Sequence, residues 1–232
     1  MKNYIVVGGT SGIGLAIVKK LSAEGHQVYV LSRTDRNLDG IEAVSHVAWD
    51  ATGELMPSGD FPAVIDGLVY CPGTVNLKPF HRLTTSDFLN DYRINVEGAI
   101  KSIQFFLPQL KTAVSPSIVL FSTVAVQTGM LFHSSIAVSK GAIEGLTRSL
   151  AADLAPRIRV NCIAPSLVQT ALTERLTSSE EKIEASAKRH PLGRIGQPDD
   201  IASSAIYLLS DSSSWMTGQI MHVDGGMSGI RL

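Results

Sequence analysis

Seven residues near the N-terminus, Gly8-Gly9-Thr10-Ser11-Gly12-Ile13-Gly14, have the make-up of an anion cradle. They follow the apolar run Tyr4–Val7 and open an amphipathic segment, with Gly8, Gly12 and Gly14 in a G-x-x-x-G-x-G spacing. So tight a turn needs residues without a Cβ at positive φ. It also brings phosphate oxygens to the unpaired N–H groups and positive dipole end of the following helix. A plain strand-to-helix turn favours glycine too, but three glycines in register after an opening strand tilt the reading toward a dinucleotide. The second apolar run closes on Ser32-Arg33, with Asp35 two residues beyond. Dinucleotide folds that select NAD place a carboxylate here to hold the ribose hydroxyls, whereas a 2′-phosphate calls for a cation. Ser32 offers a hydroxyl and Arg33 a guanidinium fork suited to phosphate. The expected cofactor is therefore NADP(H), with NAD(H) second; a solvated loop arginine is the bland alternative. Asp50, followed by Ala51, comes just after the third run. Its carboxylate can accept from an adenine amino group or cap a local turn, and both readings stand.

These residues need strands to carry them. Apolar runs without polar alternation predict strands at Tyr4–Val7, Gln27–Leu31, His46–Trp49, Gly67–Tyr70, Ser117–Phe121, Arg159–Ile163 and Gln219–Val223. Helical periodicity falls between them at Gly12–Ala23, Ser86–Leu110, Ser135–Leu154 and Asp199–Leu209. Such alternation means right-handed βαβ units, hence an α/β fold: one doubly wound Rossmann domain over 1–232 with about seven mostly parallel strands. Residues 38–48 and 52–66 are short for full crossover helices, so trimmed helices are expected there. The polar segment 170–191, rich in Ser, Glu and Lys, breaks the rhythm and reads as a substrate lid.

Composition narrows the function classes. The 232 residues carry 20 Lys and Arg against 21 Asp and Glu, a formal net charge of -1, with no basic run. That argues against nucleic acid or an anionic membrane surface as partner. Cys71 and Cys162 are far apart and form no CxxC pair, which points away from a thiolate metal site and toward reduced thiols. No cleavage site follows the first residues, and the longest apolar stretch is too short to span a bilayer, so a cytoplasmic protein is expected.

Further landmarks give the chain an identity by likeness. Asn95 in Ile94-Asn95-Val96-Glu97-Gly98, Ser139-Lys140-Gly141-Ala142, Ile158–Pro165, Thr170, Pro191–Ala202, Thr217-Gly218 and Val223-Asp224-Gly225-Gly226 follow the glycine turn and Asp50 in order. With them the sequence resembles the short-chain dehydrogenase/reductase family along nearly its whole length. The resemblance implies a nicotinamide cofactor, a small carbonyl or alcohol substrate, hydride transfer, and a homodimer or homotetramer. It assigns Gly8, Thr10, Ser11, Gly12, Ile13, Gly14, Ser32, Arg33, Asp50, Ala51, Cys71, Gly73, Pro165, Val168 and Thr170 to the cofactor. Lys140 would hold the nicotinamide ribose, and Asn95, Thr123 and Lys140 would serve the reaction. In the family a tyrosine four residues before the lysine moves the proton, and a hydroxyl residue thirteen before that tyrosine polarises the carbonyl. Here the hydroxyl position is Thr123, but the tyrosine position is Ile136, which can neither ionise nor hydrogen-bond. None of Tyr4, Tyr29, Tyr70, Tyr92 and Tyr207 is near it in sequence. His133 is the nearby imidazole, with a surface loop residue as its ordinary reading. Other motifs are eroded: Tyr70-Cys71-Pro72-Gly73 replaces an Asn-Asn-Ala-Gly turn, and Pro165-Ser166 replaces Pro-Gly. An oxidoreductase with an atypical centre is expected, and a non-catalytic NADP(H) binder is the alternative.

Overall fold

In the computed structural model, which describes residues 1–231, the apolar runs pair edge to edge. The strands are β1 (Asn3–Val7), β2 (Gln27–Ser32), β3 (Val44–Ala48), β4 (Gly67–Tyr70), β5 (Ser117–Phe121), β6 (Arg159–Pro165) and β7 (Ile220–Val223). They form one sheet in the order β3-β2-β1-β4-β5-β6-β7, with every pair parallel. Every residue of β4 and β5 is buried, as a strand covered on both faces must be. Alternate side chains feed two apolar layers. Ile5, Leu68, Leu120 and Val160 pack on one face, under α3 (Gly98–Leu110) and α5 (Ser134–Leu154). Val6, Val69, Val119 and Ile163 pack on the other, under α1 (Gly12–Ala23) and α7 (Pro198–Leu209). Shorter helices lie at Thr85–Tyr92 (α2), Ala125–Thr128 (α4) and Glu180–Ala187 (α6).

Two expectations are corrected. The single helix expected over Ser86–Leu110 is α2 and α3 joined by a five-residue π turn, Arg93–Glu97, with Asn95 and Val96 buried inside it. A widened turn of this kind rotates the faces of the two flanking helices and is characteristic of functional sites. The trimmed crossover helices are absent: neither 33–43 nor 49–66 holds a helix. Loops cover the sheet there instead, plugged by Leu38 and Ile41 on one face and by Trp49, Phe61 and Ile65 on the other.

The strand order reverses between β1 and β4, whose C-terminal ends open a crevice. The Gly8–Gly14 turn occupies it. Gly8 sits at φ 77°, in the left-handed region, and its N–H donates to the Leu31 carbonyl at 2.8 Å. A Cβ on Gly14 would collide with the Gly8 carbonyl oxygen. Gly14→Ala is therefore expected to cost about 1–3 kcal/mol and lower Tm by roughly 3–10 °C in a thermal melt. An unshifted Tm would mean that the turn is looser than described.

Candidate active site

Sheet geometry delivers the site residues to one edge. Ser11 is the N-cap of α1, yet its hydroxyl makes no capping bond, so it and the first N–H groups of the helix face the crevice uncommitted. Opposite, Thr170 stands with its Cγ2 3.2 Å from where a Gly12 Cβ would lie, which closes the turn from the far side. Asn37, at φ 63°, donates to the Thr10 carbonyl at 3.0 Å and ties the loop after β2 to the turn. Arg33 is exposed and paired with no carboxylate among the described residues.

Two cofactor candidates are already engaged. The Ser32 hydroxyl donates to the Thr34 carbonyl at 2.7 Å and lies 3.0 Å from His46 Nε2. Asp50 Oδ1 accepts from the Thr52 N–H at 2.9 Å and hydroxyl at 2.7 Å, the local turn that was one of its two readings. Those bonds, with a smaller contribution from Arg33, hold its carboxyl below the usual range. Asp50 Oδ2 makes no hydrogen bond among the described residues. Ala51 is buried in the core.

Further along the edge lies a cavity of about 980 Å³, at the upper end of the range for small-ligand sites. Ile13, Cys71, Gly73, Thr123, Ile136, Lys140, Pro165, Val168 and Thr170 line it, so nine of the sequence candidates come together here. No tyrosine lines it among the described residues. Residues 171–176 (a 3-10 turn) and α6 form its outer wall through Leu172, Arg175, Lys182 and Ala185. His133, just before α5, reaches the mouth, where its Nδ1 lies 2.7 Å from the Leu131 carbonyl.

At the floor, Lys140 on α5 is buried and donates from Nζ to the Phe121 carbonyl at 2.9 Å. A Cβ on Gly73 would stand 3.5 Å from that Nζ and 3.4 Å from Asn95 Oδ1, so Gly73 keeps the approach to both open. Asn95 Nδ2 donates to Thr74 Oγ1 and the Asp91 carbonyl, at 2.9 and 2.7 Å, while its Oδ1 is buried without a partner. Buried polar atoms are rarely left unpaired, and this one stands beside the Lys140 floor. No motif pointed to Asp91, a buried carboxylate that accepts from Thr74 at 2.7 Å and whose field supports the Lys140 charge. Asn161, in the Ile158–Pro165 motif, serves strand pairing: its Nδ2 donates to the Met216 carbonyl and its Oδ1 accepts from the Gln219 N–H.

Electrostatics follow burial. Burial pulls the Lys140 ammonium down to about 8, against smaller opposing effects of Cys162, Cys71 and Asp91. The fold brings Lys140 to both cysteines, yet burial dominates and pushes both thiols up to about 12. They are inert thiols at neutral pH. For Lys140 the shift from 10.5 to about 8 corresponds to roughly 3 kcal/mol, a ceiling because the Phe121 bond offsets part of it. The folded state takes this proton up only below about pH 8, and the unfolded chain already does so below 10.5. The penalty is thus full below pH 8 and gone above 10.5. Lys140→Met is expected to raise the Tm of the ligand-free protein by roughly 2–8 °C at pH 7, with the gain shrinking toward pH 10.5. A gain that stays flat or grows across that window would contradict the burial argument.

Comparisons with known proteins agree with this fold. A family model described as "Enoyl-(Acyl carrier protein) reductase" matches residues 59–228, more than half of the chain. The L-xylulose reductase of Bos taurus is 34% identical over 236 residues, covering 97% of this chain and 96% of its own. The structure of a short-chain type dehydrogenase/reductase from Mycobacterium ulcerans superposes with a TM-score of 0.86 at 28% identity, covering 99% of this chain and 90% of that one. A candidate NAD(P)-dependent gluconate 5-dehydrogenase of Beutenbergia cavernae, whose structure holds NADP at low occupancy, gives 0.87 at 28% identity over 97% and 96%. No helix among the described residues is long and apolar enough to cross a membrane. With its seven parallel strands, its glycine turn at the switch point and its buried Lys140 and Asn95, the chain belongs to the short-chain dehydrogenase/reductase family.

Proposed function

We propose that this protein is an NADP(H)-dependent oxidoreductase acting on a small carbonyl or alcohol, with a reaction centre in which Ile136 stands where the family carries its tyrosine. The supporting observation is the continuous edge that runs from the uncommitted Ser11 cap and the unpaired Arg33 to the buried Lys140 and the orphaned Asn95 Oδ1. These donors fit a dinucleotide. The helix N-terminus would take the pyrophosphate, Arg33 the 2′-phosphate, and Lys140 the nicotinamide ribose. Val168 and Thr170 would frame the carboxamide, and Asp50 Oδ2 would be left for the adenine. When bound, the nicotinamide supplies or accepts a hydride. Thr123, at the end of β5 and on the cavity wall, would bind the substrate oxygen. Residues 170–191 would serve as lid.

One observation favours a second reading: among the described residues, no phenol lines the cavity. A protein that binds NADP(H) without turning over carbonyls would then be a sensor or a silent partner in an oligomer. A fluorescence titration with NADPH followed by a carbonyl panel separates the two. Binding with turnover supports the first reading, binding without turnover the second, and no binding neither. Assembly as a dimer or tetramer belongs to the same proposal. Leu89 and Val138, 57% and 60% exposed on α2 and α5, and Tyr207 on α7 supply exposed apolar surface for such an assembly.

A further inference from the structure

Ser166 follows β6 directly. The Pro165 carbonyl accepts from the Val124 N–H at 3.1 Å, so Ser166 stands beside Thr123 and Val124 on the cavity wall. Against it lies His190, buried to 5% exposure and reaching in from the chain after α6. His190 Nε2 is 2.9 Å from Ser166 Oγ, and His190 Nδ1 is 2.8 Å from the Ser186 carbonyl oxygen. A carbonyl oxygen only accepts, so Nδ1 must carry the proton. In the neutral ring Nε2 is then the acceptor, and the Ser166 hydroxyl donates to it; the Met227 sulfur, also within reach, is a much weaker acceptor. This is a hydroxyl joined to a base whose orientation a third group fixes. Behind the pair a second cavity of about 110 Å³ touches both residues and is also lined by Asp224, Arg194 and Asp200. It is roomy enough for water.

We propose that Ser166 and His190 form the proton relay of this site, doing the work for which the family uses a phenol. The inference rests on the oxidoreductase reading above and names the residues that complete it. In the reducing direction a bound reduced nicotinamide would supply the hydride for the substrate's carbonyl carbon. Solvent first protonates His190 Nε2, which frees the Ser166 hydroxyl proton for the substrate; the substrate oxygen takes that proton, and Ser166 Oγ takes the Nε2 proton in its place. One hydride and one proton are consumed, the ring ends neutral with Nδ1–H still on Ser186, and solvent in the rear cavity returns the proton. In the oxidising direction each transfer reverses. The bulk of Ile136 is then compatible with catalysis, because the proton arrives from the β6 side of the cavity rather than from α5.

The test has two arms. In the first, Ser166→Ala and His190→Ala are assayed on a carbonyl that the native protein reduces. A drop in kcat of at least tenfold is expected, with the NADPH dissociation constant unchanged by fluorescence and with free imidazole restoring part of the His190→Ala rate. Full activity in Ser166→Ala, or a native protein that binds NADPH and reduces nothing, would overturn the relay. The second arm needs neither cofactor nor activity: ¹⁵N NMR of the ligand-free protein, with the His190 ring assigned by its loss in His190→Gln. The expected signature is an Nδ1–H tautomer whose Nε2 resonance moves in Ser166→Ala. An Nε2–H tautomer, or a resonance indifferent to Ser166, would overturn the relay even if NADP(H) binds. Failure to bind NADPH with the expected ring spectrum would instead count against the oxidoreductase reading alone.

Discussion

Ile136→Tyr is expected to raise the rate of carbonyl reduction at least tenfold in a steady-state assay with NADPH. Positions 136 and 140 are four apart on α5, so a phenol there shares a helix face with Lys140. Ile136 is 5% exposed and lines the 980 Å³ cavity, which leaves the larger ring open space to enter. The Lys140 ammonium would lower the phenol's pKa and return its proton in one step. A positioned acid contributes about 10² to 10⁴ in rate, and a relay already in place would hold the observed gain toward the lower end. The gain should fall in kcat rather than in KM for NADPH, because Ile136 lies outside the glycine turn. A rate that is unchanged or lower across a carbonyl panel would show that the helix does not present position 136 to the substrate.

Arg33→Ala should weaken NADPH binding by about 10- to 100-fold, equivalent to roughly 1.4–3 kcal/mol, while changing NADH binding less than twofold. The 2′-phosphate is the one difference between the two ligands, and Arg33 is exposed with no carboxylate competing for it among the described residues. Exposure also limits the effect, since solvent screens a surface cation. The loss should therefore grow at low ionic strength. Equal losses for both nucleotides would move Arg33 from phosphate recognition to general support of the loop after β2.

The parts of this molecule that depend on local pattern were legible before any fold was known. Uninterrupted apolar runs gave seven strands to within a residue or two, because a strand covered on both faces tolerates no polar alternation. Helix Gly12–Ala23 and the glycine turn were read from spacing alone. The misses share a cause. The π turn at Arg93–Glu97 leaves apolar periodicity almost intact, so α2 and α3 read as one helix although the turn buries Asn95. The missing crossovers after β2 and β3 could not be told from trimmed ones, since Leu38, Ile41 and Phe61 pack as loop plugs and need no helix to do so. Positions fixed by motif, Lys140, Gly73 and Thr170, line the one cavity wall. The pairs made only by folding were not legible. Ser166 and His190 are 24 residues apart, and Asp91 meets Thr74 across 17. The replacement of a glycine by Ser166 after Pro165 was the visible signal, and His190 just before the Pro191-Leu192-Gly193-Arg194 motif was its unrecognised partner. Ser32 also read as a hydroxyl for the cofactor, whereas the fold engages it with the Thr34 carbonyl and the His46 ring.

Calorimetric titration of the native protein with NADPH and NADH in the same buffer tests the cofactor assignment most directly. Saturable heat with NADPH at a dissociation constant at least tenfold below that for NADH is the expected result. No heat with either nucleotide, or tighter binding of NADH, would contradict the assignment of the Gly8–Gly14 turn and Arg33 to a 2′-phosphorylated dinucleotide.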